Sequence, residues 1–302
     1  MIPNELDGCS LEIPPVGDGA IVCITGRDPR HVRFALRLQQ QFGERVKGWY
    51  QVVRPTNVDS ELNNLSMRAQ VRRIVSQLRH PREFAGKVKR SAQSRLTRRR
   101  KGKPAVEAAF FEAEIRRLET AAVVEPKSVE DPNDRATLDE IRGIEPFCLL
   151  TFGGAIYRKP LLELVRGLSL NQHDGWCPEY RGANTADWAL YHRDLRRFGT
   201  TVHLTTSGMD AGPIMRRSQP CLVPWDSPYT CFLRNVVVGT ELMCEVVKDM
   251  IDGRSMKAYP QPESAGRTFL YKQLTPTVSD SIQRDFTSGW LGRELQRLKG
   301  HW

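Results

Sequence analysis

The sequence predicts an α/β fold in which a mostly parallel β-sheet carries helices on both faces. Two observations support this prediction: short apolar runs typical of buried strands alternate with segments of helical periodicity, and the chain opens in the order strand, helix, strand. The 302 residues, of which 40% are hydrophobic, suffice for one large domain with an appendage or for two modest domains.

The first elements lie near the amino terminus. Residues 20–25 form a short apolar run rich in β-branched side chains and end at Gly26, which is typical of a buried strand. Residues 30–42 repeat apolar side chains at helical spacing, and residues 46–53 would form the next strand. This is the order in which a Rossmann-like sheet begins.

The alternation of helices and strands continues through the rest of the chain. We expect a helix at 105–118, a short strand at 121–124, a helix at 134–143, a strand at 147–152, a helix at 159–166, a strand at 168–173, a strand at 200–205 with a partner starting at 213–216, and a long helix at 229–251. The tail beyond Gly253 is rich in proline and predicts a small C-terminal appendage.

Positive charge is concentrated in one segment of the chain. The net charge is +10, yet residues 68–103 hold fourteen Lys or Arg against one acidic residue, so the rest of the chain is slightly acidic. Clustered Lys and Arg bind phosphates, which makes nucleic acid or an acidic carrier protein a possible partner of this segment. A solvent-exposed run without a partner is the simpler interpretation.

Other classes of protein are disfavoured by composition. The seven cysteines include no pair at C-x-x-C spacing, which argues against a zinc knuckle or a redox dithiol. No apolar run approaches the roughly 20 residues that cross a bilayer. The first twenty residues carry four acidic side chains in place of the basic and apolar regions of a signal peptide, so we expect a cytoplasmic protein without a membrane association.

The residues that could carry chemistry lie between positions 152 and 216. Asn171 and His173 stand two apart at the end of a predicted strand, so their side chains face the same side. A turn-rich loop at 174–182 follows, at the edge where open α/β sheets form binding crevices. Further on, Asp210 stands in a loop bracketed by glycines.

This ordered set resembles the folate-dependent formyltransferase family, which includes glycinamide-ribonucleotide, methionyl-tRNA and nucleotide-sugar formyltransferases. The family pattern is Asn-x-His, then a Pro-x-Tyr-Arg-Gly loop, and later an Asp-x-Gly-x-Ile segment. It is met here by Asn171, His173, Pro178, Tyr180, Arg181, Gly182, Asp210, Gly212 and Ile214. The resemblance is good over residues 145–217 and weak elsewhere.

The resemblance implies catalytic roles for three residues. Attack of an amine on a formyl group creates an oxyanion, which the amide of Asn171 and the imidazole of His173 can stabilise. Asp210 would hold that imidazole and favour its protonated form. His203 is a conceivable zinc partner for them, but its spacing matches no metal motif, and the family implies no metal.

The resemblance also implies where the substrates bind. The co-substrate would be 10-formyltetrahydrofolate, with its pterin against residues Phe152, Gly153, Gly154, Ile156, Ser207 and Met209. The acceptor would lie near Pro178, Tyr180, Arg181 and Gly182, where Arg181 either binds a substrate phosphate or braces the loop. After the first strand, Arg27, Arg30 and His31 could hold an acceptor phosphate or could form an ordinary helix start.

Under this resemblance the chain divides into four parts. Residues 1–55 would be the first part of the formyltransferase domain and 119–256 its catalytic core. Residues 56–118 would form a basic, largely helical insertion, and 257–302 the small appendage.

The expected function is N-formyl transfer to a small amine, with a nucleotide-linked amino sugar as the first acceptor to consider. A methionyl-tRNA-type formyltransferase is one alternative, because the basic segment could bind tRNA, although the tail is short for that class. A formyl-tetrahydrofolate hydrolase and a non-catalytic RNA-binding protein on the same fold are the others. A homodimer is possible.

Overall fold

The structure of the chain is a computed structural model. It describes residues 9–11, 19–53, 103–153, 155–262 and 264–299. The predicted basic insertion at 56–118 is therefore described only from Lys103 onward, and Gly154 lies outside the described residues.

The strands and helices alternate along the described chain. The strands are β1 (Cys9–Leu11), β2 (Ala20–Thr25), β3 (Val46–Val52), β4 (Lys127–Val129), β5 (Pro146–Phe152), β6 (Leu168–His173), β7 (Tyr180–Gly182), β8 (Thr200–Leu204), β9 (Ile214–Ser218), β10 (Met256–Ala258) and β11 (Arg267–Phe269). The helices are α1 (Pro29–Phe42), α2 (Lys103–Glu119), α3 (Arg135–Ile144), α4 (Lys159–Leu162), α5 (Thr185–Tyr191), α6 (Pro228–Ile251), α7 (Pro276–Thr287) and α8 (Trp290–Lys299).

Seven strands form the central sheet in the spatial order β4-β3-β2-β5-β6-β8-β9. The first five of these strands are parallel to one another, whereas β8 pairs antiparallel with both β6 and β9. The predicted mostly parallel sheet is confirmed. Two short pairs lie outside it: β1 is antiparallel to β10, and β11 is parallel to β7.

Both faces of the sheet are covered by helices. In β2 the side chains of Ile21 and Cys23 belong to a core cluster with α1 and α6, while those of Val22 and Ile24 belong to a second cluster with α3 and α4. Successive side chains of a strand point to opposite faces, so a strand buried on both faces reads as a continuous apolar run. That is the pattern seen at 20–25.

The predicted strand at 121–124 is wrong, and the edge strand is β4 instead. The backbone N–H groups of Val123 and Val124 both donate to Gln39 Oε1, at 2.8 Å, rather than to a neighbouring strand. The apolar residues there resemble a strand, but a side chain of α1 takes the hydrogen bonds that a sheet would need.

The predicted helix at 159–166 is shorter than expected and ends at Leu162. The N–H groups of Arg166 and Gly167 donate to Pro146 O and Phe147 O, at 3.0 and 2.9 Å. Those bonds carry the chain directly into β6. Within the described residues no helix is long and apolar enough to cross a membrane.

Candidate active site

A cavity of about 750 Å³ lies at the carboxyl ends of β2, β5 and β6. The loop after β8 and the segment after β7 complete its wall. The predicted site residues that line it are Phe152, Gly153, Ile156, Asn171, His173, Gly182, Ser207, Met209 and Asp210. The topology therefore brings the predicted catalytic and folate-binding residues to one place.

The amide of Asn171 is oriented by hydrogen bonds at both ends. Thr151 Oγ1 donates to its Oδ1 at 2.9 Å, and its Nδ2 donates to His203 Nε2 at 3.1 Å. His203 Nε2 can accept because His203 Nδ1 donates to Leu204 O at 2.8 Å. The remaining N–H of Asn171 lies 3.4 Å from Asp210 Oδ1, a long contact that a ligand can replace.

The carboxylate of Asp210 lies between two imidazoles. Its Oδ2 is 3.4 Å from His173 Nδ1 and its Oδ1 is 3.5 Å from His203 Nε2. Gly182 N donates to Oδ2 at 2.9 Å. Burial alone would raise the pKa of Asp210, but His173, His203 and the Gly182 N–H outweigh it and hold that pKa well below its usual range. Asp210 is thus a carboxylate throughout the neutral range.

The loop that presents Asp210 is held in a tight conformation. Asp210 itself has a φ of +49°, in the left-handed region. Gln261 Nε2 donates to Asp210 O and Gly212 O, at 2.9 and 2.7 Å. A Cβ at Gly212 would lie 1.8 Å from Leu204 O, so only glycine fits between this loop and β8.

His173 is buried beside Asp210. Its Nε2 donates to Tyr180 O at 2.9 Å, which fixes the ring against the loop. Burial lowers the pKa of His173, and the Asp210 carboxylate opposes this shift without cancelling it. The expected contact between the two side chains is present, but the expectation that Asp210 favours the protonated imidazole is outweighed by burial.

The wall beyond Asn171 is apolar at its rim and polar inside. Ile156 and Met209 are 75% and 53% exposed at the cavity mouth. Deeper in this wall the buried Thr205 Oγ1 has no hydrogen-bond partner among the described residues. An apolar mouth with an unpartnered inner hydroxyl suits a flat heteroaromatic ligand.

Three of the predicted acceptor residues do not line the cavity. Tyr180 OH donates to Asp194 Oδ2 at 3.2 Å, and its ring stacks on Phe269. Arg181 Nη2 donates to Ala265 O at 2.9 Å, and Pro178 O lies against Gly266. These contacts brace the loop on β11 and on the two residues before it, and from that motif Gly182 alone reaches the cavity within the described structure.

The opposite end of the cavity is more acidic than the sequence suggested. Arg30, at the start of α1, pairs with Glu107 at 2.8 Å and with Asp28 at 2.5 Å. Tyr229 OH also donates to Glu107. Because two carboxylates already balance Arg30, the suggested phosphate site at this helix start gains no support. Arg27 is exposed and does not line the cavity.

The side chain of His31 caps the start of α1. Its Nδ1 accepts from Asp28 N at 3.2 Å, completing a capping box. A Cβ at Gly26 or at Gly153 would lie 2.5 or 2.6 Å from the imidazole, so these two glycines form the slot that holds it.

Sequence reasoning missed two functional candidates. The sequence suggests His203 only as a metal partner, whereas it lies opposite Asn171 in the antiparallel β6–β8 pair and orients that amide. Glu107 comes from the predicted insertion, and its place in the cavity wall depends on a helix packing that the sequence does not reveal. In the described part of the chain no group of three metal-ligating side chains is arranged to hold an ion.

Comparison with known proteins identifies relatives over about half of the chain. A family model described as "Formyl transferase" matches residues 56–247. A methionyl-tRNA formyltransferase of Myxococcus xanthus is 28% identical over 167 residues, which are 55% of this chain and 50% of the relative. One from Salinispora tropica is 31% identical over 132 residues, 43% of this chain and 42% of the relative. The chain spans about half the length of the curated relatives it matches.

Solved structures with a similar chain trace include a sugar N-formyltransferase from Shewanella sp. FDAARGOS_354. It is 13% identical, with a TM-score of 0.49, over 84% of this chain and 78% of that one. A glycinamide ribonucleotide transformylase from Symbiobacterium toebii is 15% identical, with a TM-score of 0.46, over 80% and 94% of the two chains. The family model alone spans more than half of the sequence, and the chain belongs to the formyl transferase family.

Proposed function

We propose that this chain transfers a formyl group from 10-formyltetrahydrofolate to an amine. The observation that carries the proposal is the cluster of Asn171, His173, His203 and Asp210 in the wall of one cavity. An oriented amide and imidazoles around a permanent carboxylate suit a reaction in which negative charge develops on a carbonyl oxygen.

The residues of this cluster have separable roles in the proposal. Asn171 Nδ2 gives up its long contact with Asp210 and donates a hydrogen bond to the formyl oxygen instead. This bond stabilises the negative charge that develops on that oxygen. His203 keeps the amide turned the right way. Asp210, with His173 at its side, stabilises the positive charge that the amine nitrogen gains on attack, while a proton passes from that nitrogen to the departing nitrogen.

The cavity has the features that a reduced folate needs. Its volume of about 750 Å³ is that of a drug-sized ligand site, and its mouth is apolar. The free Thr205 hydroxyl and the main chain of the 206–208 loop offer hydrogen bonds to a pterin. 10-Formyltetrahydrofolate would supply the formyl carbon as co-substrate. Ser207 and Met209, with Phe152, Gly153 and Ile156, are the proposed contacts.

We propose a nucleotide-linked amino sugar as the first acceptor to test. The acidic end of the cavity, with Asp28 and Glu107 around Arg30, favours a positively charged amine over a phosphate at that end. Such an acceptor has a precedent among proteins of similar course, since an N-formyltransferase from Helicobacter canadensis is known in complex with folinic acid and dTDP-3-aminofucose.

The test combines folate binding with an amine panel. Calorimetric titration of the purified chain with 5-formyltetrahydrofolate, a stable analogue, should give saturable binding. Incubation with 10-formyltetrahydrofolate and a panel of dTDP- and UDP-linked amino sugars, glycinamide ribonucleotide and methionyl-tRNA should then release tetrahydrofolate with one of them. No binding of the analogue at millimolar concentration would contradict the proposal.

A second acceptor, an aminoacyl-tRNA, is favoured by a separate observation. Fourteen Lys or Arg lie between positions 68 and 103, and clustered positive charge of this kind binds the phosphate backbone of a nucleic acid. The sequence relatives, in addition, are named methionyl-tRNA formyltransferases. Transfer to methionyl-tRNA that weakens steeply with added salt, in the absence of transfer to amino sugars, would support this second acceptor over the first.

A further inference from the structure

Asp174 carries a carboxylate in the described cavity wall that has no role yet in the proposed chemistry. It follows His173 directly at the end of β6, and its side chain lines the cavity. Its Oδ1 accepts a long hydrogen bond of 3.4 Å from Gln172 Nε2. Among the described residues no cation lies within ion-pair distance of it, because Arg30 is held by Glu107 and Asp28.

Hydrogen bonds hold the main chain around Asp174 from two sides. Thr185 Oγ1 donates to Asp174 O at 2.9 Å, and Thr201 Oγ1 donates to Gly175 O at 2.6 Å. A Cβ at position 175 would lie 2.4 Å from His173 Nε2, so the chain can turn sharply after Asp174 only with glycine there. The main chain at Asp174 is thus held at a constant position in the cavity wall.

The surroundings of Asp174 act on it in the opposite sense to those of Asp210. Burial raises the pKa of Asp174 to about 7, Arg30 from α1 and Gln172 from β6 oppose the shift, and Glu107 from α2 and Asp210 add to it. The pKa of Asp210 is held low, and that of the neighbouring His173 is lowered. When two carboxylates in one cavity differ in their pKa values, the one with the higher pKa can accept a proton and the other stays charged.

An amine acceptor reaches the site as an ammonium ion at neutral pH, since alkyl ammonium groups have a pKa of about 10. An ammonium nitrogen has no lone pair, so it must lose one proton before it can attack the formyl carbon. Asp210 is a poor acceptor for that proton because its carboxylate is so strongly stabilised. Asp174 lines the same cavity near its acidic end, and its Oδ1 accepts one long hydrogen bond from Gln172.

We propose that Asp174 is the general base that deprotonates the acceptor ammonium, a step that rests on the proposed formyl transfer. The carboxylate takes one proton and the amine lone pair is freed. The amine nitrogen then bonds to the formyl carbon, the bond from that carbon to N10 of the folate breaks, and the second amine proton goes to N10. The proton on Asp174 returns to solvent, so the reaction yields a formamide, tetrahydrofolate and one proton.

The first arm of the test measures the proton on Asp174 without any substrate. The full chain labelled with ¹³C at aspartate carboxyl carbons is titrated by NMR as wild type, Asp174→Asn and Asp139→Asn, an exposed control on α3. A carboxyl resonance with a midpoint near pH 7 is expected in wild type and in the control and absent from Asp174→Asn. A wild type without such a resonance would overturn the proposal.

The second arm compares two acceptors that differ in the need for a base. Formyl transfer from 10-formyltetrahydrofolate is measured with a dTDP-linked 3-amino sugar, an ammonium at neutral pH, and with hydroxylamine, which is largely unprotonated there. Asp174→Asn should lose roughly a hundredfold in kcat/KM with the amino sugar, together with the fall in rate below about pH 7, but only a few-fold with hydroxylamine. Asp174→Glu should recover part of the loss.

The outcomes separate this inference from the function on which it rests. Equal losses with both acceptors, or an unchanged pH profile in Asp174→Asn, would overturn the role of Asp174 and leave formyl transfer standing. Failure of the wild-type chain to transfer to any amine would overturn the proposed function and this role together.

Discussion

At the residue scale, the amide of Asn171 is held by Thr151 on one side and by His203 on the other, so its free N–H has one direction. A donor that is already oriented needs no rearrangement when charge develops on a substrate oxygen, and this is the basis of its catalytic value. Asn171, Asp210 and His203 take part in different contacts, so each can be substituted separately.

Removal of the donor or of the carboxylate should abolish most of the turnover. Asn171→Ala and Asp210→Asn are each expected to lower kcat by roughly a hundred- to a thousandfold, because each removes a stabilising group from the transition state. Affinity for 5-formyltetrahydrofolate, measured by calorimetry, should change little. Near-normal turnover in either variant would refute the assigned roles, and Asp139→Asn serves as the surface control.

His203 should behave as a positioning residue. His203→Leu removes the acceptor of the Asn171 N–H, and we expect about a tenfold loss of kcat, the equivalent of one hydrogen bond, with little change in folate affinity. His203→Gln, whose Oε1 can accept the same N–H, should recover part of it. A glutamine variant no better than the leucine variant would argue against this role.

The Asp174 carboxyl should also affect stability, with a definite sign. Burial raises the pKa of Asp174 from 3.8 to about 7. Between these two pH values the folded state holds a proton that the unfolded state has released, so the free energy of unfolding falls as pH rises from about 4 to about 7. Asp174→Asn should therefore gain stability relative to wild type as pH rises from about 5 to about 8, by at most about 3 kcal/mol. Urea unfolding at several pH values measures this difference. A relative loss of stability at the higher pH would contradict it.

At the element scale, helix α2 contributes to the cavity through a buried charge. Glu107 is 1% exposed and binds the backbone N–H and the guanidinium of Arg30 as well as Tyr229 OH. Further along the helix, Glu114 binds Arg33 of α1. The contacts between α1 and α2 thus depend on ion pairs as well as on apolar packing.

Loss of the Glu107 charge should be costly. Glu107→Gln keeps the size of the side chain but leaves Arg30 without its buried partner, and we expect a loss of about 3 kcal/mol in the free energy of unfolding. Glu112→Gln is a matched control on the same helix, since its pair with Arg116 is exposed, and should change stability by less than about 1 kcal/mol. Similar values for the two variants by urea unfolding would contradict the structural role of Glu107.

The limits of the sequence are clearest in particular elements. The runs at 20–25 and 147–152 predict strands correctly, because a strand buried on both faces needs an uninterrupted apolar sequence. The run at 121–124 misleads, because Gln39 lies far away in sequence and takes its hydrogen bonds. The Asn-x-His spacing places two side chains on one face, but the antiparallel turn of β8 that brings His203 to Asn171 has no local signal.

At the scale of the whole molecule, charge is segregated. The segment 68–103 carries the excess of positive charge, while the rest of the chain, with the described cavity, is slightly acidic. The ammonium group of a small acceptor would be attracted to the cavity, and a polyanion to the basic segment. The two candidate acceptors therefore make opposite predictions for the same substitution.

Substitution of Arg98, Arg99, Arg100 and Lys101 by Gln separates these acceptors. For a small amine acceptor we expect unchanged kcat/KM and unchanged folate affinity, since the described cavity wall offers the contacts proposed for both substrates. Binding to tRNA, measured by mobility shift in a salt series, should weaken and lose salt dependence. A large fall in kcat/KM with an amino sugar would contradict the small-acceptor account.

The most direct test of formyl transfer follows the carbon itself. The wild-type chain and Asn171→Ala are incubated with 10-[¹³C-formyl]tetrahydrofolate and the amine panel, and the labelled carbon is followed by NMR. In wild type the signal should move to a formamide on the acceptor, with one tetrahydrofolate released per formamide, and Asn171→Ala should slow this roughly a hundredfold or more. Labelled formate in place of formamide, or a signal that stays on the folate with every amine, would contradict it.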